Sequence, residues 1–250
     1  MKQLIKSAIK YIHKIKDKTN EEIEEVIYYY LNNLVNEKKP NKSKVNIDFK
    51  TILEMLKNLE GTSLVEGLKI IESVIKTNHI SGDICEFGVA QGKMTKILSY
   101  LINKNQKKFY IYDSFEGLPA PTKEDELKDD IFKLGNIESY KGKMSHNEKK
   151  VFRELQSIKF DLNRLIVNKG FFNQKNLNNY KFPKNISFAY IDFDFYLPTK
   201  DVLETIENKL MIGSIMIVDD YDFFSTGVKK AVDEWHDKKK QEFKILKIKT

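Results

Sequence analysis

Residues 83–92, DICEFGVAQG, form a short apolar stretch that runs into a glycine turn, and a helix is predicted to begin near Lys93. Glycines at positions 88 and 92 permit a tight turn and leave bare backbone at the helix amino terminus, where a ligand can approach. Because residue 86 is Glu and the last glycine comes one residue early, the segment lacks the full G-x-G-x-x-G fingerprint of a dinucleotide site. It therefore predicts a strand–turn–helix unit with a weak nucleotide-binding signal.

The rest of the chain repeats this alternation of strand and helix. Four later segments are also short, nearly continuous in apolar content and rich in β-branched or aromatic residues. Together with the first, the predicted strands span Asp83–Val89, Phe109–Phe115, Leu165–Asn168, Ile186–Phe193 and Ile215–Asp219. Helical spacing of apolar residues separates most of them, over Lys93–Ile102, Asn147–Ser157, Thr199–Leu210 and Val228–Lys238. The pattern predicts an α/β fold in which helices cover both faces of a mostly parallel sheet.

Two regions lie outside this pattern. Residues 1–80 form a predicted N-terminal helical extension, packed on the α/β domain of residues 81–250 or on a dimer mate. Residues 116–146 are charged and aperiodic, which predicts a lid loop opposite the ligand crevice. The predicted helices of the extension are Leu4–Ile15, Glu21–Val35, Asp48–Leu59 and Val65–Thr77. The first of these is amphipathic and rich in lysine, so binding to a membrane surface or to a partner is its alternative role.

The composition limits the class of protein. The 250 residues, 41% hydrophobic and 12% aromatic, suffice for one α/β domain with a buried core. No apolar run approaches the roughly 20 residues of a membrane-spanning helix, and the first residues lack the pattern of a signal peptide. Cys85 is the single cysteine, which excludes an intrachain disulfide and suits a reducing compartment. We expect a soluble cytoplasmic protein without stable membrane insertion.

The positive charge of the chain is a weak argument for nucleic acid. The net charge of +7 comes almost wholly from lysine, since Arg153 and Arg164 are the only arginines. Base reading and bidentate phosphate contacts favour arginine. The abundance of Lys, Asn and Ile also matches the amino-acid bias of an AT-rich genome. We therefore expect no nucleic-acid partner.

Two acidic clusters each close an apolar run: residues 189–194 are AYIDFD and residues 215–220 are IMIVDD. Four carboxylates at the ends of two buried strands lose hydration and repel one another, a cost that a cation would offset. Neither cluster contains His or Cys, so the oxygen donors favour Mg²⁺ over Zn²⁺, with Mn²⁺ or Ca²⁺ as alternatives. The clusters predict a divalent metal site, and four solvated loop carboxylates are the alternative.

The spacing within the clusters differs. Asp192 and Asp194 are two residues apart, so their side chains point the same way in an extended chain. Asp219 and Asp220 are consecutive and face opposite sides of a regular strand unless the chain turns at its end. Because ligands bind beyond the carboxyl ends of parallel strands, both clusters are expected to face one crevice.

A third acid is expected to face a nucleoside. Asp113 ends the second strand about one βαβ step after the glycine turn, where an acid accepts hydrogen bonds from both ribose hydroxyls. A turn or helix-cap role is its alternative. Taken with Glu86, it indicates a nucleoside ligand that carries its own positive group.

With these residues the chain resembles the macrocin O-methyltransferase family, or TylF-like family, of S-adenosylmethionine-dependent enzymes. The resemblance covers about residues 82–238. Its carriers are the ordered blocks 82–89 (GDICEFGV), 113–119 (DSFEGLP), 168–172 (NKGFF), 192–196 (DFDFY), 219–221 (DDY) and 227–233 (GVKKAVD). Departures from the family pattern occur at Lys93, where a second glycine is common, and at Leu197-Pro198-Thr199, where Ser-Thr is usual. They bear on helix entry and substrate fit.

The resemblance implies a Rossmann-like class I methyltransferase with a mostly parallel seven-stranded sheet. It implies S-adenosylmethionine as cofactor, a divalent metal and transfer of a methyl group to a sugar hydroxyl. The implied site residues are the metal ligands Asp192, Asp219 and Asp220, the general base Asp194, and the cofactor contacts Glu86, Gly88, Asp113, Ser114 and Gly170.

Other functions stay open from the sequence alone. A catechol-like diol could replace the sugar, since it also offers vicinal oxygens to Mg²⁺. A metal-dependent phosphohydrolase or a non-catalytic membrane-surface binder are alternatives of another class. For the sugar enzyme, an AT-rich source favours a nucleotide-linked sugar of surface polysaccharide synthesis as the acceptor, and we expect a homodimer or higher homo-oligomer.

Overall fold

A computed structural model of the chain describes residues 20–36 and 47–246. The predicted amphipathic helix Leu4–Ile15 lies outside the described residues. Five strands form one sheet in this part of the chain: β1 (Asp83–Phe87), β2 (Phe109–Asp113), β3 (Leu165–Lys169), β4 (Ile186–Ile191) and β5 (Leu210–Val218).

All neighbouring strands are parallel, in the order β3-β2-β1-β4-β5. The direction in which strands are added therefore reverses between β1 and β4. At such a switch point the loops that follow the two strands run apart and open a crevice at their carboxyl ends. This places the ends of β1 and β4 at the centre of any ligand site.

Seven α-helices lie within the described ranges, and none of them is both long and apolar enough to cross a membrane. They are α1 (Asn20–Asn36), α2 (Phe49–Lys57), α3 (Leu64–Thr77), α4 (Lys93–Ile102), α5 (Glu148–Ser157), α6 (Tyr196–Ile206) and α7 (Thr226–Lys239).

Helices cover both faces of the sheet, as the sequence predicts. On one face Ile97 of α4 belongs to the same buried cluster as Ile111 of β2. On the other face, Val202 of α6 and Trp235 of α7 are buried in a cluster with Phe87 of β1. Each fully buried side chain of this kind stabilises the fold by about 1.5–3 kcal/mol.

The N-terminal helices pack on the same face of the sheet as α4. Leu31 of α1, Ile52 of α2 and Ile71 of α3 are fully buried in the cluster that includes the sheet residues. A capping box starts α3, in which the side chains of Ser63 and Glu66 each accept a hydrogen bond from the backbone of the other. The described part of the extension therefore packs on its own α/β domain and fixes the start of α3 at the crevice edge.

The lid, residues 116–146, has a small apolar core. Leu118, Ile137 and Tyr140 are buried together with Phe195, which follows β4, and Phe224, which follows β5. The lid therefore packs on the two loops that carry the acidic clusters.

The expected seven-stranded sheet is wrong for the described residues, which form five strands. After α7 the ring of Phe243 packs on Trp235, with 4.7 Å between ring centroids. Ile245 is partly buried against the same cluster. The apolar side chains of this segment thus cover α7 and do not extend the sheet.

Several element boundaries differ from the sequence prediction by one or more residues, most of all at α6 and β5. The helix α6 begins at Tyr196, not Thr199, because Pro198 falls in its first turn, where the missing N–H has no intrahelical partner to lose. The strand β5 begins at Leu210, which the pattern assigned to the preceding helix. Gly213, with φ of +84°, interrupts the apolar run and conceals the first half of this strand.

Candidate functional site

The carboxyl ends of the strands bring the predicted site residues to one edge of the sheet. Here the chain turns through four non-glycine residues with positive φ: Ala90 (+45°), Phe115 (+56°), Asp194 (+60°) and Asp220 (+53°). Left-handed backbone costs such a residue about 1–2 kcal/mol. Strain of this kind persists where the surrounding structure fixes the conformation, and it is typical of functional sites.

Three carboxylates converge beyond β4 and β5. One oxygen of each of Asp192, Asp194 and Asp220 lies within 4.8 Å of the others. Ser225 Oγ donates to the carbonyl oxygen of Asp194 at 2.7 Å, which ties the two loops together. Since β4 ends at Ile191, Asp192 and Asp194 are brought together by a left-handed turn and not by strand alternation. We call Asp192, Asp194 and Asp220 the acidic cluster.

The acidic cluster is electrostatically crowded. Burial, followed by the charge of Asp219, raises the pKa of Asp192 well above its ordinary value, and burial with the charge of Asp220 does the same for Asp194. Burial and then the charge of Asp219 raise the pKa of Asp220 to about 7. The cluster therefore retains protons near neutral pH unless positive charge is supplied. Its all-oxygen donor set and close spacing fit a hard divalent cation.

Asp219 lies beside this group and is hydrogen bonded elsewhere. Its Oδ2 accepts from the hydroxyl of Tyr190, and its Oδ1 accepts from the backbone N–H of Asp220 at 3.1 Å. The sequence assigned Asp219 to the ligand set and freed Asp194 as base, whereas the structure places Asp194 among the converging oxygens. Both assignments stay predictions of role.

The N-terminal region contributes two acids to the edges of the crevice. Glu66, in the first turn of α3, is close enough for its charge to raise the pKa of Asp219 and of Asp220. Glu60, in the loop before α3, accepts a hydrogen bond from Gln91 Nε2 at 2.7 Å, beside the glycine turn. This region therefore borders both the acidic cluster and the turn after β1.

Glu86 is a buried carboxyl without a partner. Its side chain is 0% exposed and neither oxygen has a hydrogen bond of acceptable geometry. Burial raises the pKa of this carboxyl well above its ordinary value, the hydroxyl of Thr95 lowers it and the charge of Asp113 raises it. An unsatisfied buried carboxyl costs stability, and a cofactor that carries a positive group fits it.

Asp113 supports the turn that follows β1. Its Oδ2 accepts from the backbone N–H of Val89 at 2.7 Å and of Ala90 at 3.2 Å, and its Oδ1 accepts from Phe115 N–H at 2.6 Å. The turn role left open by the sequence is therefore present. Since each carboxylate oxygen has two acceptor positions, Oδ1 can also accept from a ribose hydroxyl.

The other predicted cofactor contacts also shape the crevice. The hydroxyl of Ser114 donates to Gly117 O at 2.9 Å and accepts from Glu116 N–H, so it is used within its own turn. Gly170 donates its N–H to Asp113 O at 2.9 Å. A Cβ added at Gly88 would lie 1.9 Å from Asp192 O, so only glycine lets the turn after β1 touch the loop after β4.

A cavity opens next to Asp113, beyond β2 and β3. It has a volume of about 500 Å³ and is lined by Phe115, Asn147, Glu148, Lys149, Phe152 and Lys169. The Lys169 ammonium lies 5.8 Å from the Phe115 ring centroid and 3.7 Å from Glu148. The two phenylalanines can contact a flat base, and the polar rim can hydrogen bond its edge.

Sequence reasoning missed Tyr190, the two N-terminal acids and Asp125, whose carboxylate accepts from Tyr196 N–H at 2.7 Å at the start of α6. Strand alternation contained a signal for Tyr190, because residues 190 and 192 share a face. Asp125 had no comparable signal, since it lies in a charged, aperiodic segment. Glu66 could be recognised from sequence only as a capping residue.

The chain was compared with protein families, curated sequences and solved structures. The sequence model of the family described as macrocin O-methyltransferase (TylF) matches residues 4–250. Among curated protein sequences, no match reaches significance.

Two solved structures share the fold. The O-methyltransferase NovP is 21% identical, with a TM-score of 0.59 over 81% of this chain and 77% of NovP. The calicheamicin methyltransferase CalS11 is 21% identical, with a TM-score of 0.55 over 87% of this chain and 85% of CalS11.

Proposed function

The chain belongs to the macrocin O-methyltransferase family of S-adenosylmethionine-dependent enzymes, and we propose that it methylates a sugar hydroxyl with the help of a divalent cation. One observation carries the proposal. The loop that carries Asp192 and Asp194 of the acidic cluster touches the glycine turn after β1 through the backbone oxygen of Asp192, at the switch point of the sheet. Methyl donor and acceptor hydroxyl would thereby meet at one place.

The β1 side of the crevice binds the cofactor in this proposal. Glu86 gives its unpaired carboxyl to the positively charged end of S-adenosylmethionine, and Asp113 accepts from a ribose hydroxyl. The cavity beside Phe115 takes the adenine. Gly88, Ser114 and Gly170 shape the backbone around the ligand.

Asp192 and Asp220 of the acidic cluster would bind the cation, with Mg²⁺ favoured by the oxygen donors and Mn²⁺ or Ca²⁺ as alternatives, and Asp194 stays free as the base. When bound, the cation lowers the pKa of the acceptor hydroxyl and orients it. Vicinal hydroxyls of a sugar can both reach such a site, which limits the rotation of the acceptor. Asp219 and Glu66 add negative charge behind the cluster.

Asp194 accepts the proton of the acceptor hydroxyl. Its carboxyl lies within the cluster on a left-handed turn, and the hydrogen bond from Ser225 Oγ to its carbonyl oxygen limits its movement. Positive charge in the cluster reverses the rise in its pKa, so that the carboxylate form is available as the base. The lid excludes water from a reaction in which the charges of donor and acceptor disappear together.

We propose a nucleotide-linked sugar of surface polysaccharide synthesis as the acceptor. Lysines on and beside the lid, among them Lys143 and Lys149, are exposed and carry charge suited to a diphosphate. This feature favours the sugar nucleotide over a catechol-like diol, which carries no phosphate.

A panel of acceptors tests the proposal. The purified protein is incubated with S-adenosylmethionine, Mg²⁺ and either nucleoside-diphosphate sugars with a vicinal diol, free sugars, polymer or catechol, and products are identified by mass spectrometry. We expect methylated nucleotide sugar, and Asp194→Asn is expected to lower kcat by about 10²- to 10⁴-fold. Methylation of catechol alone would contradict the sugar assignment, and phosphate release without S-adenosylmethionine would contradict methyl transfer.

A further inference from the structure

Tyr190 lies in β4, between the two halves of the crevice. Its register neighbours are Glu86 on β1 and Ile217 on β5. The side chain is 1% exposed and belongs to the apolar layer on the α3 and α4 face of the sheet. Packing of the ring therefore fixes where its hydroxyl can reach.

The hydroxyl of Tyr190 meets two acids. It donates to Asp219 Oδ2, and Asp192 Oδ2 lies 3.3 Å away as a second acceptor. A phenol has one proton to donate, so the two carboxylates compete for it. The hydroxyl thus bridges the end of β4 and the end of β5, which between them carry all three members of the acidic cluster.

A residue of the N-terminal region acts on the same hydroxyl. Burial raises the pKa of the Tyr190 hydroxyl well above its ordinary value, and the side chain of Thr62, in the loop before α3, partly lowers it. Buried tyrosine hydroxyls normally have a partner, and here the partners are two acids at the candidate metal site.

We propose that Tyr190 is a positioning residue whose hydroxyl holds Asp219 and Asp192 so that the acidic cluster presents its oxygens to a divalent cation. The inference rests on the proposed function, because it assumes that the cluster binds a cation. Hydrogen bonds behind metal ligands orient them, and loss of one lowers metal affinity by about 10- to 100-fold. In this role Asp219 acts from behind the cluster, held by Tyr190 and by the backbone of Asp220.

The experiment measures binding of Mn²⁺ to the full chain by electron paramagnetic resonance titration. Tyr190→Phe keeps the ring and removes the hydroxyl, and we expect the Mn²⁺ dissociation constant to rise by about 10- to 100-fold. Tyr112→Phe is the matched control. Tyr112 is equally buried, on β2, which is separated from β4 by β1, and its hydroxyl donates to Lys181 O at 2.9 Å, away from the acids.

Further readouts separate positioning from a general folding defect. Binding of S-adenosylhomocysteine is expected to stay at the wild-type level in Tyr190→Phe. The KM for Mg²⁺ in methyl transfer is expected to rise, with kcat restored at saturating Mg²⁺. Thr62→Val is expected to weaken Mn²⁺ binding in the same direction by a smaller factor, and it decides the question if Tyr190→Phe does not fold.

Two results would overturn the inference. If Tyr190→Phe binds Mn²⁺ as tightly as the wild type, Tyr190 does not position the cluster, although the proposed function stands. If the wild-type protein binds no Mn²⁺, the inference and the metal part of the proposed function both fail.

Discussion

At the residue scale, the chemistry of the acidic cluster follows from where three short side chains are placed. Asp194 and Asp220 each stand on a left-handed turn, and burial combined with the neighbouring charges raises the pKa of both. Strained backbone and crowded carboxyls both cost stability in the absence of a ligand. Binding of a cation offsets the electrostatic part of that cost, so stability of the protein is expected to report on the site.

The first prediction concerns pH. The pKa of Asp220 is about 7 when folded, against an ordinary value of 3.8, so between these values the folded state binds more protons than the unfolded state. Stability of the cation-free protein should therefore fall as pH rises from about 4 to about 7. Mg²⁺ competes with those protons, and the rise in Tm that it causes should be larger at pH 8 than at pH 5.

Thermal unfolding in chelator and in Mg²⁺ across this range measures the effect. Asp220→Asn is the control, because it removes the titrating group, and we expect it to flatten the pH dependence in chelator. An equal Mg²⁺ effect at pH 5 and pH 8 would contradict this account of the cluster.

The site residues show which contacts could be predicted from the sequence and which could not. The acids at positions 192, 194, 219 and 220 were predicted to face one crevice, and the structure brings oxygens of Asp192, Asp194 and Asp220 together, while Asp219 lies outside that group. The predicted cause, strand alternation between Asp192 and Asp194, is wrong because β4 ends at Ile191. Sequence could not reveal that Asp219 is engaged by Tyr190, since that contact depends on the relative positions of two strands.

At the element scale, the lid is attached to α6 through Asp125. This carboxylate is 3% exposed and accepts from Tyr196 N–H at 2.7 Å and from Thr122 N–H at 2.8 Å. Phe195, the residue that caps α6, makes no side-chain hydrogen bond to the helix. Asp125 therefore supplies the missing cap from the lid, where its negative charge is also favourable at the helix amino terminus.

The second prediction is that Asp125→Ala loosens the lid. It removes the acceptor of the half-buried N–H groups of Tyr196 and Thr122, which costs at most about 1–3 kcal/mol each. We expect faster proteolysis within residues 116–146, faster hydrogen exchange there and a higher KM for the acceptor.

Asp129→Ala is the matched control, because Asp129 is an exposed acid on the same lid. It should leave proteolysis and KM unchanged. Equal behaviour of the two variants would mean that Asp125 does not attach the lid.

The fold class was predicted correctly, but the number of strands and the starts of two elements were not. The alternation of strands and helices was correct, since buried parallel strands produce continuous apolar runs that the sequence displays. The seven strands came from the resemblance and not from the residues, and the described residues form five. The starts of α6 and β5 were misplaced. Pro198 lies in the first turn of α6, which tolerates proline, and Gly213 interrupts the apolar run of β5, which the strand tolerates.

At the scale of the whole molecule, the reversal of strand order between β1 and β4 explains why two sets of residues far apart in sequence form one site. The end of β1 carries Glu86 and the turn after it carries Gly88, and the loop after β4 carries Asp192 and Asp194. The contact of Gly88 with Asp192 O joins them. The N-terminal region borders the site through Glu60 and Glu66, and residues of 116–146 pack on the loops after β4 and β5.

The proposed methyl transfer requires the acidic cluster and the glycine turn to act together in one reaction. The most direct test is the initial rate of methyl transfer from S-adenosylmethionine to a diol-containing nucleotide sugar, measured on metal-stripped protein as Mg²⁺ is added back. We expect a rate at least about 100-fold lower without Mg²⁺, equivalent to roughly 2.7 kcal/mol, and full recovery on addition. An undiminished rate in the presence of chelator would contradict a catalytic cation in the cluster.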